Sequence, residues 1–265
     1  MLWYKGSLRT SDSILLSSTD PVLTYGASVF TTIRIYQASL DHPLTRWVKH
    51  CQRLSSSVKD FDWKIPDWQQ VEQGARAMGE KYLVLRISLS PDGSELITGR
   101  GLPNDLEVLQ KSGAKGWVTN SPLFTRTIPE YKTGNYLPNW LALQFVQKHG
   151  YREAILLDAK GKWLESSTGN LWGFKNGCWY TPPLEDGILP GIARGYLLEL
   201  LGKHQIPYEE KSWNFDFVKE LEVIAYSNSV VEIVPFQSIT LEKEILHFNV
   251  KHESYRLLKQ FYLES

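Results

Sequence analysis

Residues 165–172 read Glu165-Ser-Ser-Thr-Gly-Asn-Leu-Trp172. A carboxylate is followed by four small residues that favour a turn, and then by an apolar run. Ser and Asn side chains bond to nearby backbone in turns, and Gly accepts backbone angles that other residues avoid. Two short apolar segments joined this way read as strand, turn, strand. The strands fall near 163–166 and 170–175, and Glu165 ends the first. Taken alone, Glu165 is a strand-end glutamate beside a turn.

Working outward, further strands are expected near 152–158 and 178–181, and a helix near 138–149. Another helix should start after Pro190-Gly191, because Ile192, Tyr196, Leu197, Leu200 and Leu201 form one apolar stripe. Strands near 223–227 and 230–234 and a helix near 251–263 complete this half. Towards the beginning, Lys111-Ser-Gly-Ala-Lys-Gly116 is small and polar with Pro122 beyond it, which reads as a linker over 111–123. Before it the pattern is α+β. Val29-Phe-Thr-Thr-Ile-Arg-Ile-Tyr36 is β-branched and aromatic, a strand. Trp47, Cys51, Leu54 and Val58 recur at helical spacing. A second helix is expected over 66–79. The strand over 82–89 should pair with Leu96-Ile-Thr98 across the turn Pro91-Asp-Gly93.

The chain has 265 residues, 42% apolar and 22% charged, which excludes global disorder. Its 29 basic and 29 acidic residues cancel, against the basic excess of nucleic-acid binders. No segment approaches the ~18 apolar residues of a membrane span. The start, MLWYKGSLRTSDS, has no apolar signal core, and Cys51 and Cys178 have no metal or redox spacing. A cytoplasmic location and no metal site are therefore expected. The ten tryptophans are scattered, which suits packing better than a stacking platform. Nucleophile-elbow, zinc-protease and phosphate-loop motifs are missing.

Four separated segments carry chemistry. They are Tyr25-Gly-Ala-Ser-Val-Phe-Thr-Thr-Ile-Arg34 with His50-Cys-Gln-Arg-Leu54; Tyr131-Lys-Thr-Gly-Asn135; Glu165 to Trp172 with Gly187-Ile-Leu-Pro-Gly-Ile-Ala-Arg194; and Tyr226-Ser-Asn-Ser-Val-Val-Glu-Ile-Val-Pro235. In order and spacing they resemble the class IV pyridoxal-phosphate enzymes from about residue 3 to about residue 240. That family holds branched-chain and D-amino-acid aminotransferases and aminodeoxychorismate lyases. The resemblance implies an α/β architecture of fold type IV, like D-amino-acid aminotransferase. A smaller α+β domain would span 1–118 and a larger mixed α/β, cofactor-binding domain 119–265, with the cofactor between them. It also implies pyridoxal 5'-phosphate as cofactor, a small-molecule substrate and a homodimer.

By the same resemblance, Lys132 matches the Schiff-base lysine. A lysine beside a cationic cofactor and away from water loses its proton more easily, and can then serve as anchor and base. Glu165 matches the carboxylate that pairs with the pyridine nitrogen, keeping the ring protonated as an electron sink. Arg53 matches a phosphate-binding arginine, and its planar fork suits that task. Gly191, Ile192 and Ala193 open a helix whose free N–H groups and dipole attract an anion. Many relatives carry threonine where this chain has Ala193, so backbone must do more of the binding. Asn228 and Ser229 match a Gly-Thr pair on the same phosphate.

Thr32 separates the members. Branched-chain enzymes carry glycine there and D-amino-acid enzymes a bulkier apolar residue, whereas the lyases resemble the Phe30-Thr-Thr32 string. The lyase reading implies that 4-amino-4-deoxychorismate loses a ring proton to Lys132, expels its enolpyruvyl group and leaves as 4-aminobenzoate and pyruvate. Tyr25 and Phe30 would line the pocket. Arg34, Arg86 and Arg100 are candidates for the substrate carboxylates, and Thr32 for hydrogen bonding or proton movement at the ring. The alternatives are a D- or branched-chain amino-acid aminotransferase, which needs a keto acid, and a cofactor-binding protein without activity.

Overall fold

The computed structural model describes residues 1–263 and divides into two units. The first comprises Met1–Pro103 with Tyr131–Asn135, and the second Asn104–Glu130 with the chain from Tyr136 onward.

In the first unit, β1 (Leu2–Tyr4) and β2 (Ser7–Arg9) make a hairpin, and α1 (Pro21–Tyr25) leads to β3 (Val29–Arg34). Helices α2 (Trp47–Asp60) and α3 (Trp68–Gly79) follow, then β4 (Val84–Leu89) and β5 (Glu95–Arg100). The sheet is antiparallel in the order β2-β1-β5-β4-β3. The expected hairpin across Pro91-Asp-Gly93 is present, with Gly93 at a φ of 80° that suits glycine. Side chains alternate across a strand. Val29 and Ile33 accordingly join Leu85, Ile87 and Leu89 in a core with Leu54, Val58, Val71 and Met78 of the two helices. Asp67 starts α3 by accepting the N–H groups of Gln69 and Gln70 at 3.0 and 3.2 Å. At the free edge of β3, residues 131–135 run alongside. Val29 bridges Thr133, and the Phe30 N–H donates to the Lys132 carbonyl at 2.8 Å.

The second unit holds α4 (Leu106–Ser112), β6 (Ala114–Thr119), α5 (Leu137–Lys148), β7 (Glu153–Leu157), β8 (Trp163–Ser166), β9 (Asn170–Lys175) and β10 (Cys178–Thr181). It continues through α6 (Ile192–Lys203), β11 (Tyr208–Glu210), α7 (Phe215–Lys219), β12 (Val223–Asn228), β13 (Glu232–Leu241), β14 (Glu244–His247) and α8 (Glu253–Gln260). Strands run in the order β11-β10-β9-β12-β13-β6-β7-β8, with β14 on β13. Pairings β13–β6, β6–β7 and β10–β11 are parallel and the rest antiparallel, so the sheet is mixed. β8 also pairs with β9, through Glu165 opposite Asn170, so the path from β9 to β8 returns on itself. Glu165 therefore sits at the seam of a closed sheet. Trp163, Trp172, Trp179 and Trp213 are fully buried, as packing residues.

The segment 111–123 is not a linker. It contains the end of α4 and all of β6, an interior strand between β13 and β7. Its small residues serve close packing. A Cβ on Gly113 would lie 2.6 Å from Val250, and one on Gly116 would lie 2.9 Å from Phe236. Contacts consequently change unit after Pro103 rather than near 118, and 131–135 group with the first unit. The C-terminal helix is shorter than its apolar pattern suggested. Among the described residues, no helix is long and apolar enough to cross a membrane.

Candidate active site

In the first unit, the pleat of β3 sends adjacent threonines to opposite faces. Thr31 is fully buried on the helical side. Its Oγ1 accepts a hydrogen bond from Arg53 Nη2 at 2.8 Å and lies 2.5 Å from His50 Nδ1. Burial, and then the positive charges of Arg53, Arg46 and Lys132, hold the His50 imidazole well below its usual range. The ring is thus neutral. A guanidinium can only donate, so the Thr31 hydroxyl proton is directed to His50 Nδ1. His50, Thr31 and Arg53 form a one-way chain that orients Arg53. The sequence reading named Arg53 alone. His50 and Arg53 stand three apart on one helix face, which was the available signal.

The opposite face of this sheet collects most of the other candidates. Phe30, Thr32 and Arg34 share it with their partners Ser88, Arg86 and Val84, and Arg100 lies opposite Val84. The Arg86 guanidinium stands 3.5 Å from the centre of the Phe30 ring, and Lys132 Nζ stands 4.8 Å from the same ring. Arg34 lies over Tyr36 at 4.6 Å. The half-buried Thr32 hydroxyl makes no hydrogen bond with the described residues. Tyr25 stands apart at the end of α1, 80% exposed.

In the second unit, Glu165 is held from several sides. Its Oε1 accepts from Arg126 Nη1 at 2.9 Å, and both side chains are only 7% exposed. Its Oε2 accepts the Leu189 N–H at 3.1 Å and lies 3.5 Å from Asn170 Nδ2. Asn170 also donates to the Leu189 carbonyl at 2.9 Å, tying the seam to the chain that enters α6. Arg126 was missed, because it lies in an irregular stretch and its partner is 39 residues away.

α6 begins at Gly191 with no side chain capping it, so the first-turn N–H groups, those of Ile192 and Ala193 included, point outward unpaired. A Cβ on Gly191 would collide with Asn170 Oδ1, which makes this a position for glycine. In the turn after β12, Asn228 Oδ1 accepts the N–H groups of Val230 and Val231 at 2.9 and 3.0 Å. The Ser229 hydroxyl makes no hydrogen bond with the described residues. An uncapped helix start and an unengaged hydroxyl suit a phosphate, and a buried carboxylate suits a protonated ring nitrogen. The residues present therefore fit pyridoxal 5'-phosphate. No cluster of metal-ligating side chains occurs among the described residues.

Comparison with known proteins agrees with this chemistry. Residues 28–239 match the amino-transferase class IV family. The D-alanine aminotransferase of Staphylococcus aureus is 31% identical over 250 residues, covering 88% of this chain and 87% of its own. The branched-chain-amino-acid aminotransferase of Escherichia coli is 25% identical over 265 residues, covering 90% and 84%. In fold, the chain is similar to a hypothetical aminotransferase from Mycobacterium tuberculosis in its PLP-bound form, with a TM-score of 0.84, 18% identity and coverage of 100% and 99%. It is also similar to a Legionella pneumophila protein carrying the provisional name 4-amino-4-deoxychorismate lyase, with a TM-score of 0.80, 20% identity and coverage of 96% of each chain.

Proposed function

The chain belongs to the class IV aminotransferase family, whose members depend on pyridoxal 5'-phosphate, and on that premise we propose that it is a 4-amino-4-deoxychorismate lyase. In this reading Lys132 anchors the cofactor and, once displaced by the substrate amine, serves as base. Glu165 holds the proton on the ring nitrogen, with Arg126 and the Leu189 N–H fixing its carboxylate. Arg53, the N–H groups at Gly191, Ile192 and Ala193, and the turn at Asn228 and Ser229 with its Ser229 hydroxyl receive the phosphate. The bound cofactor supplies an electron sink for the carbon that carries the substrate nitrogen.

Lys132 removes the ring proton at that carbon, and the enolpyruvyl group leaves from the neighbouring carbon. The ring becomes aromatic, and the departing group takes up a proton to become pyruvate. Atoms balance without a second substrate. Arg34 and Arg86, with Arg100 beside them, receive the two substrate carboxylates, for which guanidinium forks are suited. Phe30 packs against the substrate ring. Tyr25, also expected at the pocket, has no support beyond the resemblance. A homodimeric, cytoplasmic enzyme is part of the same reading.

Thr32 carries the choice of the lyase. Its unengaged hydroxyl stands on the arginine-bearing face, opposite Arg86 and beside the Phe30 ring that Lys132 approaches. A hydroxyl there offers a donor and an acceptor to a ring substrate. Aminotransfer is the second reading, favoured by the relatives with 31% and 25% identity. The test sets 4-amino-4-deoxychorismate alone beside D-alanine or leucine with a keto acid. Formation of 4-aminobenzoate without keto acid is expected. Keto-acid-dependent transfer as the sole activity would establish the second reading.

A further inference from the structure

Glu153 is a buried carboxylate that the mechanism above does not use. It begins β7 and is 3% exposed. Three donors converge on it. The Ser167 hydroxyl reaches Oε2 at 2.6 Å, the Thr168 N–H reaches Oε2 at 3.1 Å, and the Thr168 hydroxyl reaches Oε1 at 2.7 Å. Burial pushes the carboxyl up from its usual range, while these hydroxyls pull against that shift.

The Thr168 hydroxyl donates to Glu153 Oε1, which leaves its own lone pairs for another donor. Asn228 Nδ2 supplies one, at 3.3 Å from Thr168 Oγ1 and 3.2 Å from the Thr168 carbonyl. With the amide nitrogen so committed, Asn228 Oδ1 must face the other way. There it accepts the Val230 and Val231 N–H groups at 2.9 and 3.0 Å. The chain runs in one direction, from the turn through Asn228 and Thr168 to Glu153. It holds the turn over 228–231 in a form that leaves the Ser229 hydroxyl unengaged.

We propose that Glu153 is a positioning residue that, through Thr168 and Asn228, sets the turn at Ser229 to receive the cofactor's phosphate. The inference rests on the assignment of Ser229 to that phosphate. It predicts a defect specific to the phosphate rather than to the ring, because Glu165 and Lys132 are not part of the chain of bonds.

The experiment compares the affinity of cofactor-free protein for pyridoxal 5'-phosphate and for pyridoxal, which lacks the phosphate, by titration of tryptophan fluorescence. Thr168→Val keeps the side-chain shape and removes the hydroxyl, and Thr168→Ser restores it. Glu153→Gln tests the far end of the chain. Thr168→Val and Glu153→Gln should weaken pyridoxal 5'-phosphate binding about tenfold and leave pyridoxal unchanged, with Thr168→Ser close to the parent. If Glu153→Gln fails to fold, the two Thr168 variants decide. Equal weakening for both ligands would mean a general structural role and overturn the proposal. Ser229→Ala separates the remaining failures. Weakening in Ser229→Ala but not in Thr168→Val refutes the relay alone, whereas no effect in Ser229→Ala removes its premise.

Discussion

The two units present their functional side chains in different ways. In the first, they stand on one face of a small antiparallel sheet. Phe30, Thr32, Arg34 and Arg86 are strand residues whose direction follows from the pleat, and they face away from the apolar core. In the second, they stand at the ends of strands and at the start of a helix, and hydrogen bonds hold them. Glu165 is engaged by Arg126, Leu189 and Asn170, and Asn228 by Thr168 and the turn that follows it. The difference separates function from stability. A substitution on the sheet face removes a reactive or binding group and little else. A substitution in the second unit also leaves a buried partner unsatisfied.

Lys132→Ala should bring the largest loss, on the order of 10³-fold in turnover, as expected for removal of a positioned base. Its thermal midpoint should stay close to the parent's in denaturation scans, because the side chain is only half-buried. A large fall in the midpoint would break the comparison. Glu165→Ala should lose both properties. Steady-state assays should show turnover falling by about a hundredfold as the ring nitrogen loses its partner. Urea denaturation should show a cost of about 3 kcal/mol, because the Arg126 charge stays buried without its carboxylate. Undiminished stability would contradict the account of the seam.

The adjacent threonines sharpen the point within one strand. Thr31→Val leaves Arg53 and His50 without their shared hydroxyl and should cost about 1–2 kcal/mol of stability in urea. Thr32→Val should leave stability unchanged and lower lyase turnover about tenfold. Equal behaviour of the two variants would refute the assignment of opposite roles to the two faces.

The smallest effect concerns His50. Its folded pKa lies below its unfolded value, so the unfolded chain takes up the proton first as pH falls. Stability from this group is complete above about pH 6.5 and is lost as pH falls towards the folded pKa, by at most about 1.4 kcal/mol per pH unit. Thermal midpoints measured from pH 7 to pH 5 should fall more steeply for the parent than for His50→Gln.

Legibility in the sequence follows the same division. Strand alternation in Val29–Arg34 and the apolar stripe after Gly191 could be read directly, because period and side-chain direction are local properties. The turn after Glu165 was equally plain from its small residues. What stayed hidden was every partner chosen by tertiary contact. Arg126 lies in a stretch without periodicity, and Glu153 looks like any glutamate at a strand start. Arg126 takes its role from a bond to a residue 39 positions away, and Glu153 from bonds to residues 14 and 15 positions away. The supposed linker was misread because small residues serve close packing as well as loose turns. Gly113 and Gly116 approach Val250 and Phe236, more than 100 positions later, and no local pattern announces that.

The most direct test of the proposed activity is pyruvate release from 4-amino-4-deoxychorismate by the purified protein loaded with pyridoxal 5'-phosphate, with no keto acid present. The account predicts steady release by the parent and a collapse of that rate in Lys132→Ala. No release from parent protein that retains the visible absorbance of its bound cofactor would contradict it.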